Sequence, residues 1–184
     1  GGGIERGDQG MRRRIFRIAA VFFALAFCLS AFCGCHGARG LDPFEIPADF
    51  DPDAQYEITF WAKNDTNKTQ TKIYESAIAS FMALYPNITV NLRLYTDYGR
   101  IYNDVITNIA TQTTPNVCIT YPDHIATYKT GTNVVVPLDT LMKDKAYGLG
   151  GSALRFDAPT REELVPSFLA ECVIDDVTYA LPYM

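Results

Sequence analysis

The chain has 184 residues, 48% of them hydrophobic and 12% aromatic, and a formal net charge of −5 at pH 7. That is enough chain for one domain with a real core. Its acidic balance repels nucleic acid and anionic lipid headgroups, so neither is expected as a partner.

In chain order, residues 1–10 precede Met11 and read as upstream translation without a structural role. Residues 11–35, MRRRIFRIAAVFFALAFCLSAFCGC, join a basic cluster (Arg12, Arg13, Arg14, Arg17) to an uncharged run from Ala19 to Phe32 and a small-residue end at Gly34-Cys35. The arginines hold one end on the cytoplasmic face while the apolar run enters the bilayer. This stretch resembles a bacterial lipoprotein signal over 11–34, in which Cys35 becomes the lipidated first residue of the mature protein. Cys28 and Cys33 each follow phenylalanine, a poor cleavage residue, so Cys35 is the better acceptor. The competing reading is a retained anchor, since 15–33 spans about 19 mostly apolar residues and a membrane helix needs roughly 20. Either way the rest of the chain lies outside the cytoplasmic membrane.

Residues 1–35 hold 5 Lys/Arg and 2 Asp/Glu out of 16 and 21, leaving 11 and 19 beyond Cys35, a net charge of −8. Cys118 and Cys172 are the remaining cysteines, too few for a disulfide scaffold. One bridge between them is conceivable. Cys118 lies in an apolar run and is expected to be buried as a small hydrophobe. Residues 35–53 carry Pro43, Pro47, Pro52 and several carboxylates, the composition of an extended acidic spacer, with a partly ordered arm as the alternative.

The domain is expected over 54–184. Tyr56 to Trp61 reads as a strand. A helix follows from about Thr71 to Tyr85, with its stripe at Ile73/Tyr74, Ala77/Ile78, Phe81/Met82 and Leu84/Tyr85. Ile88, Val90, Leu92 and Leu94 alternate with polar residues, as an edge strand with one wet face would. Thr96 or Asp97 can cap a second helix whose buried stripe is Ile101/Tyr102, Val105/Ile106 and Ile109/Ala110. Val117 to Tyr121 is a third strand, Pro122 to about Lys129 a short helix, and Val134 to Val136 a fourth strand. Beyond Leu138 come a helical turn to Lys143, a glycine-containing loop, and a capping box at Thr160/Glu163 opening a helix kinked by Pro166. A hairpin then turns at Asp175-Asp176. The order βαβαβαβ predicts an α/β open sheet with flanking helices and right-handed crossovers.

In such a sheet, ligands bind beyond the carboxyl ends of the strands. The first strand delivers Trp61, Lys63, Asn64 and Asp65 there, the second Asp97 and Tyr98, and the third Tyr121 and Asp123. Rings that cover the apolar face of a sugar, with acceptors and donors for its hydroxyls, suit a neutral polyhydroxylated ligand. For each residue alone, helix capping or core packing is an equally good reading.

Four segments, ITFWAKND (58–65), FMALYPNITV (81–90), TPNVCITYPDHIATYKTG with its VVPLD continuation (114–139) and VIDDVTYALPYM (173–184), occur in an order and spacing that resembles a known family. The chain is similar to the extracellular solute-binding proteins of ABC importers, in the group related to maltose-binding protein, across about 54–184. The resemblance implies a periplasmic-binding-protein-like (type II) fold, N-terminal lobe only, and a longer protein of which this is an N-terminal fragment. It implies a carbohydrate ligand gripped between two lobes, with Asp65, its neighbours Lys63 and Asn64, and Asp123 touching the sugar, and Tyr183 near the interlobe cleft. It implies ABC transporter permease subunits as partners, a membrane reached through the lipid on Cys35, a monomer, and no cofactor or metal. Asp176 stands where the family's turn carries glycine, and Thr120 where a ring sometimes stacks.

Two other classes remain open. A surface sensor or adhesin could use the same lobe without transport. Asp65 and Asp123 could serve a glycoside hydrolase, which needs one carboxyl with a raised pKa. A single domain histidine, His124, gives little to a metal cluster or a Ser/His/Asp triad, and Gly148 to Ser152 lacks the lysine of a phosphate loop. The reading is therefore a binding protein and not an enzyme.

Overall fold

The structure is a computed structural model and describes residues 41–157 and 159–183. The upstream residues, the signal, Cys35 and residues 36–40 lie outside the described residues. Among those described, no helix is long and apolar enough to cross a membrane.

β1 (Tyr56–Lys63) and β2 (Ile88–Tyr95) pair in parallel over their full lengths, from Tyr56 opposite Ile88 to Lys63 opposite Tyr95. β3 (Val117–Cys118) pairs with the other side of β1, giving the order β2-β1-β3. β2 is thus the edge strand its alternation predicts, with Thr89, Asn91 and Arg93 exposed. β1 does not alternate because both its faces are covered. Phe60 meets Tyr74 edge-on at 5.7 Å on one side, and Trp61 meets Tyr95 at 5.4 Å on the other.

α1 (Thr69–Leu84) joins β1 to β2, and α2 (Tyr98–Ile109) joins β2 to β3. Thr71 and Tyr74 of α1 are buried, and Ile78 and Phe81 are half-buried, a three-four spacing that places them on one face. Ile73, expected in that stripe, is 60% exposed. It sits one position, about 100°, around the helix from Tyr74. α2 starts on Asp97, whose Oδ1 accepts the Arg100 amide at 2.8 Å. Ile101 (0% exposed) and Val105 pack with Trp61, Tyr95 and Tyr128 as the core. Each such side chain contributes roughly 1.5–3 kcal/mol on burial, which makes the α2–sheet contact the main anchor of the fold.

The second half departs further from expectation. β3 is two residues long because Asn116 meets β1 through its side chain, accepting the Thr59 amide at 2.9 Å, and because the chain turns after Ile119 donates to the Trp61 carbonyl. α3 (Pro122–Tyr128) follows with proline at its start. Val134 to Val136 is not a strand. Asn133 adopts a left-handed φ of 57°, the Val134 amide turns back to Gly131, and Pro137 has no amide to give a ladder. The β-branched run instead puts Val135 against the core. α4 (Asp139–Lys143) is the predicted helical turn. The Thr160/Glu163 capping box forms, but it closes only a 3-10 turn, Arg161–Glu163, and Pro166 starts a separate helix, α5 (Pro166–Ala170), instead of kinking one. β4 (Val173–Ile174) and β5 (Val177–Thr178) form the expected hairpin. Asp175 and Asp176 both have positive φ, 52° and 62°, as a tight two-residue turn demands. Lys129 Nζ holds Asp175 Oδ2 at 2.7 Å.

From Leu41 onward the acidic segment makes contacts with the domain. Leu41 donates to the Thr132 carbonyl at 3.1 Å and accepts from Asn133 Nδ2 at 2.7 Å. Phe50 stacks on Tyr56 at 5.0 Å, and its amide donates to the Tyr147 hydroxyl.

Candidate functional site

The parallel register brings the carboxyl ends of all three strands to one edge. There β1 runs into Lys63, Asn64 and Asp65, β2 into Asp97 and Tyr98, and β3 towards Thr120 and Tyr121. The Asn64 amide donates to the Tyr95 carbonyl at 2.9 Å, extending the β1–β2 ladder by one bond and fixing the start of that loop. Lys63 Nζ donates to the Asn64 carbonyl at 3.2 Å and stands 6.0 Å from the Tyr98 ring centre. The Tyr98 and Tyr121 rings meet at 4.5 Å, tilted by 39°. Burial raises the Tyr98 phenol above its ordinary pKa, helped by Tyr121 and Tyr183, so it stays a neutral donor and acceptor.

These rings open onto a groove of about 840 Å³. Tyr98, Tyr121 and Tyr183 line it together with β3, residues 134–136 and the segment 179–182. Most of the wall is apolar, with Asn116, Thr120 and Glu171 as scattered polar groups. That is the usual make-up of a small-molecule site. Tyr121 and Tyr183 are 50% and 47% exposed, high values for tyrosine rings that line a groove.

The other expected site residues fall elsewhere. Trp61 is 6% exposed inside the core, with the Arg93 guanidinium 4.9 Å above its ring. β1 continues two residues past Trp61 to Lys63, so the indole belongs to the strand interior and not to the edge. Asp65 is turned onto the start of α1, where Oδ2 accepts the Thr69 amide at 2.8 Å and Oδ1 the Thr71 amide at 3.4 Å. Partial burial alone would raise its pKa, but the amides of Gln70, Thr69 and Thr71 outweigh it and hold the carboxyl below its ordinary value. Asp123 lies exposed in the first turn of α3, outside the groove lining.

Further aromatic residues around these rings are not marked as site residues by the sequence reading. His124 stands 5.4 Å from Tyr121 and 4.4 Å from Tyr102, and Thr120 Oγ1 lies 3.4 Å from His124 Nδ1 and 3.2 Å from the Tyr128 hydroxyl. The signal was present in spacing: Tyr102 is four residues from Tyr98 on α2, and His124 three from Tyr121. Tyr74, on α1, is bonded through its hydroxyl to that of Tyr183. Cys118 and Cys172 are both free thiols. Burial pushes the Cys118 thiol up to about 11, so it remains protonated and a poor nucleophile.

No protein-family model and no curated protein matches the chain. Solved structures do. An extracellular solute-binding protein family 1 member from Alicyclobacillus acidocaldarius superposes with a TM-score of 0.54 at 20% identity, over 72% of this chain and 29% of its own. The GacH receptor of Streptomyces glaucescens, solved unliganded and in complex with acarbose and an acarbose homolog, superposes with a TM-score of 0.53 at 17% identity, over 71% of this chain and 29% of its own. At these identities the likeness is one of fold: a parallel α/β sheet with flanking helices, as in extracellular solute-binding proteins. The chain spans 29% of the length of each of these neighbours.

Proposed function

We propose that this chain is the sugar-facing part of an extracytoplasmic solute-binding protein, tethered to the membrane through lipid on Cys35, which captures an oligosaccharide or similar polyol and delivers it to an ABC transporter. The observation that carries this reading is the Tyr98–Tyr121 ring pair at the carboxyl edge, which lines a groove of about 840 Å³. Flat rings with neutral hydroxyls cover the C–H face of a sugar and exchange hydrogen bonds with its hydroxyl groups. The GacH receptor, of similar fold, has been solved with acarbose, which supports a carbohydrate over a peptide or a metal ion.

In this proposal Tyr98, Tyr121 and Tyr183 stack against the ligand, and Lys63, Asn64 and Asp123 contribute hydrogen bonds from the rim. Asp65 shapes the loop from below by holding the first amides of α1. Ligand bound between this edge and a second lobe would stabilise a closed state recognised by the permease subunits, and the binding protein would act as a monomer. Hydrolysis is the poorer reading of the same carboxylates. Asp65 is held ionised by backbone amides, whereas a general acid must hold its proton near neutral pH.

Calorimetry of the complete mature protein against a panel of oligosaccharides and polyols tests the proposal. Saturable binding at micromolar or tighter affinity is expected. No heat with any sugar, alongside tight binding of a peptide or a metal ion, would refute the carbohydrate assignment.

A further inference from the structure

Residues 179–183 form one wall of the groove and carry Tyr183 to it. Among the described residues, their backbone makes few hydrogen bonds. The Tyr179 amide donates to the Cys172 carbonyl at 3.0 Å. Past that residue, among the described residues, the segment makes a single hydrogen bond, between the hydroxyls of Tyr183 and Tyr74. Pro182 has no amide to add another, and Leu181 is 44% exposed, so apolar burial holds the segment only in part.

Tyr74 is the fixed member of the pair. It lies on α1, 6% exposed, its ring edge-on to Phe60 of β1 at 5.7 Å, while the Tyr183 ring stands 6.2 Å away and 47% exposed. A buried phenol needs a partner for its hydroxyl, and here the partner is the ring that faces the groove. Burial and the bond to Tyr183 both raise the Tyr74 phenol, so the Tyr74 hydroxyl keeps its proton across the physiological range.

We propose that Tyr74 is the positioning residue of the site: its hydroxyl latches Tyr183, and with it the 179–183 wall, in the place where Tyr183 can stack against a ligand. This rests on the carbohydrate-binding reading for its effect on affinity, though not for its effect on the wall. Tyr74→Phe keeps the ring and its packing and deletes only the latch. Tyr183→Phe deletes it from the other side.

Both variants and the pair are compared in the complete mature protein by two readouts, affinity for the bound oligosaccharide and the initial rate of chymotryptic cleavage after Tyr179. Each single variant is expected to weaken binding roughly 2- to 10-fold, the worth of one net hydrogen bond. The double variant should weaken it no further, and cleavage should accelerate in all three. Unchanged cleavage in Tyr74→Phe, or losses that add in the double variant, would overturn the latch. If the parent protein binds no sugar, the carbohydrate reading falls, and the cleavage rates alone decide whether Tyr74 holds the wall.

Discussion

Residues 56–109 and residues 110–183 are built on different terms. The first stretch holds two eight-residue strands in full parallel register and two helices of 16 and 12 residues. The second holds strands of two residues and helices of no more than seven, joined by turns. In the first, regular backbone supplies the frame, and its buried stripes meet across the sheet. In the second, side chains do the joining: Asn116 to Thr59, Asp139 to Thr178, Lys129 to Asp175, Tyr183 to Tyr74. The candidate site sits where the two meet, with Tyr98 from the framed half and Tyr121 and Tyr183 from the side-chain-tied half. Tyr98 thus stands on regular backbone, and Tyr121 and Tyr183 on segments joined mainly through side chains.

The largest test of this contrast is to remove packing from each side. Ile101→Ala empties a fully buried position on α2 and should cost about 2–5 kcal/mol in denaturant unfolding. Phe168→Ala, at a position 40% exposed in α5, should cost clearly less, because much of that ring is already in water. Equal losses would mean that the second half is as tightly packed as the first. Asp65→Ala should lower the melting temperature by less than Ile101→Ala, since it unties the start of one helix while leaving the core filled.

Acid should reach both halves alike. The amides of Arg100 and Thr178 hold Asp97 and Asp139 below the ordinary carboxylate range, the Thr160 amide does so for Glu163, and Asp65 is lowered by the first turn of α1. Carboxyls with depressed folded-state pKa values contribute stability that is complete above their unfolded values, about 4, and that is lost as pH falls through the folded ones. The melting temperature should therefore hold from neutrality to about pH 4.5 and drop below it. A rise on acidification would contradict these contacts.

The contrast also explains what could be read from the sequence. The period-two alternation of β2 and the stripe of α2 stand out because each has one dry face, and both elements lie within a residue or two of expectation. From Ile58 onward β1 is at least half-buried on both faces, so nothing in YEITFWAK marks where the strand leaves the sheet. Ending it at Trp61 instead of Lys63 placed a core indole in the site. Val134 to Val136 has strand composition, but the left-handed Asn133 and the missing amide of Pro137 decide its backbone. Tyr98 and Tyr121 are expected together because topology brings strand ends to one edge, whereas Tyr183 is expected near them only from the family resemblance. The roles of Tyr74 and Asp65 depend on which way a side chain turns after its helix has packed, and no spacing records that.

The central claim is that the carboxyl-edge tyrosines contact a carbohydrate. It is tested most directly by titrating the complete mature protein and its Tyr98→Ala/Tyr121→Ala variant with the oligosaccharide that the parent binds most tightly. Two stacking contacts at about 0.5–1.5 kcal/mol each predict a loss of roughly 5- to 100-fold in affinity with cooperative unfolding retained. An affinity unchanged by removing both rings would place the ligand elsewhere and contradict the account.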